Sequence, residues 1–386
     1  MNITLKKTIG FLHLWLGLIS GLVLFVVCVT AAIWSFSPEI ESLTEPYLHV
    51  KQENKPYLPV SALQATAKKQ LPDKKLQSLN FQGKDKSAIA YYYDADYFFA
   101  SYINPYNGQV LKVRNENKAF FRVILLGHYS LWMGTFGGQV VKWATLIFAI
   151  MLISGIVLWW PRNKAARKQR FKIKLGTSPK RLNYDLHNVL GFYASWVIIF
   201  SALTGIIWMF DWAAKAEYWI GSGGKTQVVA PDPLSIKTPF AKAAANTAVD
   251  SLFNATWAKY SGAEGASVQF ASTDSAAIEF SFYPRVGAYY NSDNLYFNQY
   301  TLQEIPIKVW GKYADANGGE KLTRMNYDIH IGNILGLPGR IAMFLSALIC
   351  ASLPITGFYI WLGRRKKQKK AAPAKRAAAL MAKQIQ

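Results

Sequence analysis

Four stretches of this chain carry no Asp, Glu, Lys or Arg. They are 31 residues between Lys7 and Glu39, 19 between Lys142 and Arg162, 25 between Asp185 and Asp211, and 23 between Arg340 and Arg364. About 20 consecutive apolar residues cross a bilayer as a helix. In lipid, every backbone polar group must find its partner inside the segment. The stretches therefore predict a mainly α membrane protein with four transmembrane helices, near 9–36, 139–161, 186–211 and 340–362. Composition agrees, with 51% apolar and only 17% charged residues, which excludes a disordered chain and an ordinary soluble enzyme. Two cysteines exclude a disulfide scaffold and a cysteine-rich metal protein.

The net charge of +22 raises the question of nucleic acid, and its distribution answers it. Residues 162–181 hold nine Lys/Arg, residues 364–383 hold nine more, and neither stretch has an acid; Lys6 and Lys7 form a third patch. The remaining chain is nearly balanced, with 24 bases and 22 acids. The excess sits beside apolar runs, as the positive-inside rule describes, so no nucleic-acid partner is expected. The N-terminus, the 162–181 loop and the C-terminal tail are placed in the cytoplasm. Two segments of about 80 and 110 residues then lie on the opposite side. The organisation reads as span one at 1–38, an outside domain at 39–120, an entry helix plus span two at 121–162, and a basic loop at 163–183. Span three follows at 184–211, a second outside domain at 212–322, an entry helix plus span four at 323–363, and a basic tail at 364–386. The first span is longer than a typical signal peptide and is expected to be retained.

The chain repeats itself. His13, Gly17, Thr30, Trp34 and Phe36 reappear 174 residues later as His187, Gly191, Thr204, Trp208 and Phe210. Arg122, His128, Gly155, Trp159 and Arg162 reappear 202 residues later as Arg324, His330, Gly357, Trp361 and Arg364. Two copies of helix, outside domain, helix are predicted, and such proteins often place their site at the repeat interface. Each outside segment is expected to be a small α+β domain. The first has a helical stretch at Val60–Gln70, alternating strands at 88–93 and 97–103, a turn over Asn104-Pro105-Tyr106-Asn107-Gly108, and a strand from Gln109. The second has strands near 267–270, 277–283 and 296–300, with Thr301-Leu302-Gln303-Glu304 where the first has its Asn-Gly turn. The Ala/Lys-rich tail from 371 is expected to fray.

Four of the five histidines, His13, His128, His187 and His330, sit one per span near its entrance. His13 and His187 follow Lys7 and Arg181 by six residues, about 9 Å of helix, which assigns them to the cytoplasmic side. His128 and His330 precede spans that enter from outside. Two pairs in two layers result, and ionisable groups in a membrane are functional candidates. Zinc needs three or four ligands, whereas haem supplies four of its own and needs two axial ones. Two facing histidines in an aromatic bundle suit a b-type haem, two per chain, with iron held by His13 and His187 and by His128 and His330. Gly17 and Gly191 lie one turn after their histidines and would either make room for the macrocycle or allow close helix packing. Lys7, Arg181, Arg122 and Arg324 would meet haem propionates or serve as interfacial anchors. From His128 to the end of span two is too long for one straight crossing, so Gly134–Gly138 and Gly336–Gly339 are expected to break the helices and leave each outer histidine on a short entry helix. No catalytic residue beyond the haems is expected. Cys28 and Cys350 read as buried free thiols.

These features resemble the PepSY-associated transmembrane family of bacterial inner-membrane proteins, which includes ferric-siderophore reductases. The resemblance rests on His13 with Trp15 and Gly17, Gly127-His128, the span-two ending Ser154–Arg162, Asp185-Leu186-His187-Asn188, and the Asn104–Leu111 turn, which looks like the end of a PepSY domain. It implies periplasmic PepSY domains, haem b held by membrane histidines, and reduction of a ferric siderophore to release ferrous iron. Tyr91–Tyr93, Tyr289 and Tyr290 are candidate binding surface. The cytoplasmic parts are too short for a nicotinamide or flavin domain, so electrons would come from a membrane quinol or a cytoplasmic reductase. Two other readings stay open: a haem carrier that serves a periplasmic protein, and a non-enzymatic module whose PepSY domains bind peptides.

Overall fold

The computed structural model describes residues 3–161, 163–228, 232–237 and 242–384. Arg162 and the last two residues of the tail lie outside the described residues. The helices are α1 Ile3–Trp34, α2 Ser37–Thr44, α3 Val60–Gln70, α4 Phe120–Ser130, α5 Gly134–Trp159, α6 Lys164–Arg170, α7 Pro179–Asp185, α8 Gly191–Met209, α9 Asp211–Gly221, α10 Asn246–Lys259, α11 Gly318–His330 and α12 Gly336–Gln384. The strands are β1 Leu76–Phe81, β2 Ala88–Asp94, β3 Tyr97–Ile103, β4 Val110–Asn115, β5 Gly265–Gln269, β6 Ile278–Tyr283, β7 Asp293–Phe297 and β8 Glu304–Ile305. They fall into two compact units: a helical unit of residues up to Ser35, Ile124–Met209 and from His330 onward, and a sheet unit of Phe36–Val123 and Phe210–Ile329.

Four helical segments of the first unit are long and apolar enough to cross a membrane: Leu5–Trp34, Gly134–Trp159, Pro179–Met209 and Asn333–Lys366. They form a ring in which α1 packs on α5 and α12, and α8 packs on the same two. Without a hydrophobic drive between helices in lipid, small residues set the approach. A Cβ on Gly17 would come within 2.8 Å of Met151 Cε, and one on Gly21 within 3.2 Å of Pro354. The outward faces carry large apolar side chains such as Ile19 and Leu22, 72% and 77% exposed, as a lipid environment requires.

Three features depart from the sequence reading of these spans. The third is interrupted by one π turn, Leu186–Leu190, which contains His187; such turns inside helices frequently mark functional sites. The break before span two comes at Leu131 and Trp132, both at positive φ, and α5 already starts at Gly134. The Gly-rich stretch is needed for a different reason: a Cβ on Gly137 would overlap the carbonyl oxygen of Ser130, and one on Gly339 that of Gly332. Each span folds back so tightly on the helix before it that only glycine fits. Finally, the tail is not frayed from 371, since α12 continues to Gln384.

The sheet unit corrects the expectation of two small α+β domains. Its strands form one antiparallel sheet in the order β4-β3-β2-β1-β5-β6-β7-β8. Each segment alone would be a four-stranded sheet ending in β1 or β5, with a row of unpaired N–H and C=O groups. Pairing from Ser78↔Gln269 to Phe81↔Ala266 removes both edges. The remaining edges are blunted, by Lys112 and Arg114 on β4 and by the two-residue length of β8. α3 and α10 cover one face, over a core that includes Leu63, Leu79, Tyr92, Phe253, Phe280 and Phe282. They are tied together at the start of α3, where Asp250 of α10 accepts hydrogen bonds from Ser61 N at 2.8 Å and from Ser61 Oγ. A carboxylate at a helix N-terminus is favoured by the helix dipole as well.

The turn that the second segment lacks in sequence is present in structure. After β3, Asn104 N donates to Gln109 O and Gly108 N to Asn104 O, with Tyr106 N on Asn104 Oδ1. After β7, Asn298 N donates to Gln303 O and Leu302 N to Asn298 O, with Tyr300 N on Asn298 Oδ1. Leu302 takes the left-handed position of Gly108, at φ 57 against 76. The Asn side chain builds the turn, and the Asn-Gly dipeptide is dispensable.

Candidate functional site

The helical unit brings the four histidines together in pairs. The rings of His128 and His330 are 6.1 Å apart, centre to centre, at 80°. His13 faces Gly155 of α5, and His187 faces Gly357 of α12. His49, the fifth, belongs to the sheet unit, where Ser42 and Lys86 hold both its nitrogens.

All four paired histidines engage Nδ1. His13 meets Ser154 Oγ at 2.8 Å, His187 meets Thr356 Oγ1 at 2.9 Å, and His330 meets Thr204 Oγ1 at 2.8 Å. His128 meets the carbonyl oxygen of Val27 at 3.0 Å and Thr30 Oγ1 at 3.4 Å. The direction of these bonds can be assigned from the partners. Val27 O can only accept, so His128 Nδ1 carries the proton. Each hydroxyl already donates to a carbonyl of its own helix: Ser154 to Met151, Thr356 to Ser352, Thr204 to Phe200 and Thr30 to Val26. It is therefore an acceptor toward the histidine. All four imidazoles are Nδ1–H tautomers, and each keeps the Nε2 lone pair for a ligand. This is the arrangement by which outer hydrogen bonds fix the ring and tautomer of a metal-binding histidine.

The donor set fits a group that brings its own equatorial ligands. Among the described residues, no three His, Cys, Asp or Glu side chains gather as a metal site. Two imidazoles on opposite sides of one metal atom, each nitrogen at about 2 Å, have ring centres about 6 Å apart. The His128–His330 spacing meets that figure. Trp208 packs beside His330, with ring centres 4.8 Å apart and planes tilted by 43°.

The other predicted site residues are placed differently. Gly17 and Gly191 serve helix packing: the space beside them is taken by Met151 and by Leu353. The glycines that face histidines are Gly155 and Gly357, where a Cβ would lie 3.4 Å from His13 Cε1 and 3.2 Å from His187 Cε1. Arg324 is corrected outright. It is buried in the sheet unit, ion-paired with Glu320 at 2.7 Å, and donates to the carbonyls of Ser292 and Gly311; four of its five N–H donors are engaged there. Arg122 also belongs to the sheet unit, where its guanidinium lies over Phe98. Arg181 is ion-paired with Asp185, and Lys7 is exposed. Cys28 and Cys350 are buried free thiols. Tyr289 packs on Tyr283 and Tyr327, and Tyr290 on Tyr313.

Sequence reasoning overlooked the hydroxyls. Ser154 and Thr356 share the offset of 202, but they differ in residue type and escape a search for identities. Thr30 and Thr204 were in the repeat, yet only the fold shows what they hold.

Comparison with curated proteins finds no match. The family model described as the PepSY-associated TM region matches residues 11–364, from just before His13 to the end of the last span. The chain therefore belongs to the PepSY-associated transmembrane family.

Proposed function

We propose that the protein is an inner-membrane, di-haem b electron-transfer protein that reduces a ferric siderophore at the periplasmic face. The observation that carries this reading is the set of four Nδ1–H imidazoles, paired across one helix ring, each with Nε2 available. When bound, a haem at each pair supplies a one-electron couple. His13 and His187 would hold the cytoplasmic-side group, His128 and His330 the periplasmic-side one. Ser154, Thr356, Thr204 and the Val27 carbonyl keep the rings oriented and raise their basicity. The apolar ring of helices excludes water, which lowers the local dielectric and tunes the potential. Each ferric ion takes one electron. A quinol donor would supply two electrons and release two protons, and a cytoplasmic reductase would do the same work from the other side. Hard oxygen ligands hold ferrous iron less tightly than ferric, so reduction favours release.

The test is an absorption spectrum of detergent-purified protein, oxidised and dithionite-reduced, with a haem-to-protein ratio. Two b-type haems per chain are expected, and a ferric chelate added without oxygen should reoxidise them. No haem after haem-supplemented expression rejects the reading. Haem without reoxidation by any ferric chelate favours a carrier that serves a periplasmic protein.

A further inference from the structure

Helix α9, Asp211–Gly221, has its polarity reversed for a helix in water. Its exposed stripe is Trp212, Lys215, Ala216, Trp219 and Ile220, which share one helical face by their spacing. The three large apolar side chains, Trp212, Trp219 and Ile220, are 60%, 58% and 68% exposed. The acid of the helix lies on the other side: Glu217 is buried, and Asn326 Nδ2 of α11 donates to it at 3.0 Å. A surface helix in water turns its apolar stripe to the core and its charges outward. This helix cannot roll to correct the mismatch. Asn317 Nδ2 donates to Tyr218 OH at 2.8 Å, and a Cβ on Gly319 would come within 2.7 Å of Tyr218 O. The inner side of α9 is therefore locked on the start of α11.

The chain fixes where the outer side is. Only Phe210 separates α9 from Met209, the last residue of the third span. One residue extends at most about 3.6 Å, so α9 starts at the membrane boundary. Tryptophan is enriched at that boundary, and Lys215 can lay its stem along the same face with its ammonium among the headgroups. We infer that α9 lies along the lipid–water interface where the third span ends, with Trp212, Trp219 and Ile220 seated in the upper acyl chains. The occupant of the face is the phospholipid bilayer, continuous with the lipid around the span. A helix of 11 residues is about 16 Å long, and an interfacial helix sinks its apolar face about 5–10 Å. The sheet unit is thus held to the membrane surface along α9, in addition to its covalent links to the spans. This anchoring goes beyond the reductase reading and does not depend on haem.

The experiment is spin labelling of the full chain in nanodiscs that hold one chain each, with phosphatidylethanolamine and phosphatidylglycerol as the lipid. Trp212→Cys, Trp219→Cys and Ile220→Cys are labelled one at a time. Ala248→Cys, exposed on α10, is the control in water, and wild type, whose two cysteines are buried, gives the background. Apolar oxygen and a polar nickel chelate are the colliding reagents. At all three positions the ratio of oxygen to nickel collisions should exceed that of Ala248→Cys by about three- to tenfold, because the interface admits oxygen and excludes the chelate. A ratio equal to the control overturns the inference and puts the face in water. Low collision rates with both reagents also overturn it, since the face is then covered by protein. A second measurement needs no label. Emission lost to a lipid brominated high on its acyl chains should be smaller in the double variant Trp212→Phe with Trp219→Phe than in wild type, and an equal loss overturns the inference.

Discussion

Replacing Arg324 by Met should unfold the sheet unit at markedly lower temperature. The side chain makes four hydrogen bonds: two to Glu320 Oε1 at 2.7 and 3.1 Å, one to Ser292 O at 3.0 Å and one to Gly311 O at 2.9 Å. Both members of the ion pair are almost fully buried, at 2% and 4% exposure. Removing one partner leaves the Glu320 carboxylate in low dielectric with, among the described residues, the Trp310 N–H to hold it. Breaking a buried pair in this way costs about 3–5 kcal/mol. For a unit of this size, 1 kcal/mol moves Tm by about 2–4 °C, so a fall of about 6–20 °C is expected. The assay is a thermal melt of the full chain in detergent, followed by tryptophan fluorescence. A double variant, Arg324→Met with Glu320→Met, should recover most of the loss, because the desolvated charge is then gone as well. A single variant within about 2 °C of wild type, in the range of a surface change, would refute the reasoning. So would a single variant that melts normally but loses haem, since that would return Arg324 to the propionate role.

Thr204→Val removes the acceptor of His330 Nδ1 at nearly constant volume, and should speed haem loss to apomyoglobin by about 10–100-fold; Thr30→Val should do much less, because Val27 O still holds His128. Gly357→Leu forces side-chain atoms onto His187 and should lower the haem-to-protein ratio from two to one, whereas Gly155→Ala, at ordinary contact distance, should keep both. Burial raises the Glu217 carboxyl above its ordinary range, against opposing hydrogen bonds from Asn326 and Thr323. A group raised in the folded state stabilises fully below its unfolded pKa and ceases to as pH climbs through the folded one. Sheet-unit stability should therefore fall over that window, and melts of Glu217→Gln against pH should show the slope removed.

How much of this was legible beforehand depended on how local the cause is. The α3 helix, Val60–Gln70, and the β3 strand, Tyr97–Ile103, were read with the bounds they have, because periodicity within one segment decides them. β1 was not read: in Leu76–Phe81 only Leu79 and Phe81 alternate inward, too few for a pattern. Its pairing with β5 joins residues far apart in the chain, and no local signal carries it. The histidine pairs were legible because the repeat displays them twice. Arg324 was misread although its partner was in view, since Glu320 precedes it by four residues, the spacing of a helical ion pair; proximity to an apolar run had drawn attention from its own helix. The roles of Gly155 and Gly357 needed the facing helix, which the sequence does not identify.

The shared sheet has a consequence for how the protein is made. When the ribosome has produced β1 to β4, the half-sheet has an open side along β1, and its partner β5 begins 184 positions beyond Phe81. At 5–20 residues per second, that strand arrives about 10–40 s after Phe81. Throughout that interval Ser78–Phe81 presents a row of free backbone donors and acceptors, next to the apolar residues Leu79 and Phe81. Nascent chains at this stage can pair through β1 with one another instead of with their own second half. Growth conditions that slow translation or crowd the membrane should therefore raise the yield of misjoined dimers before any defect in the histidine sites is felt.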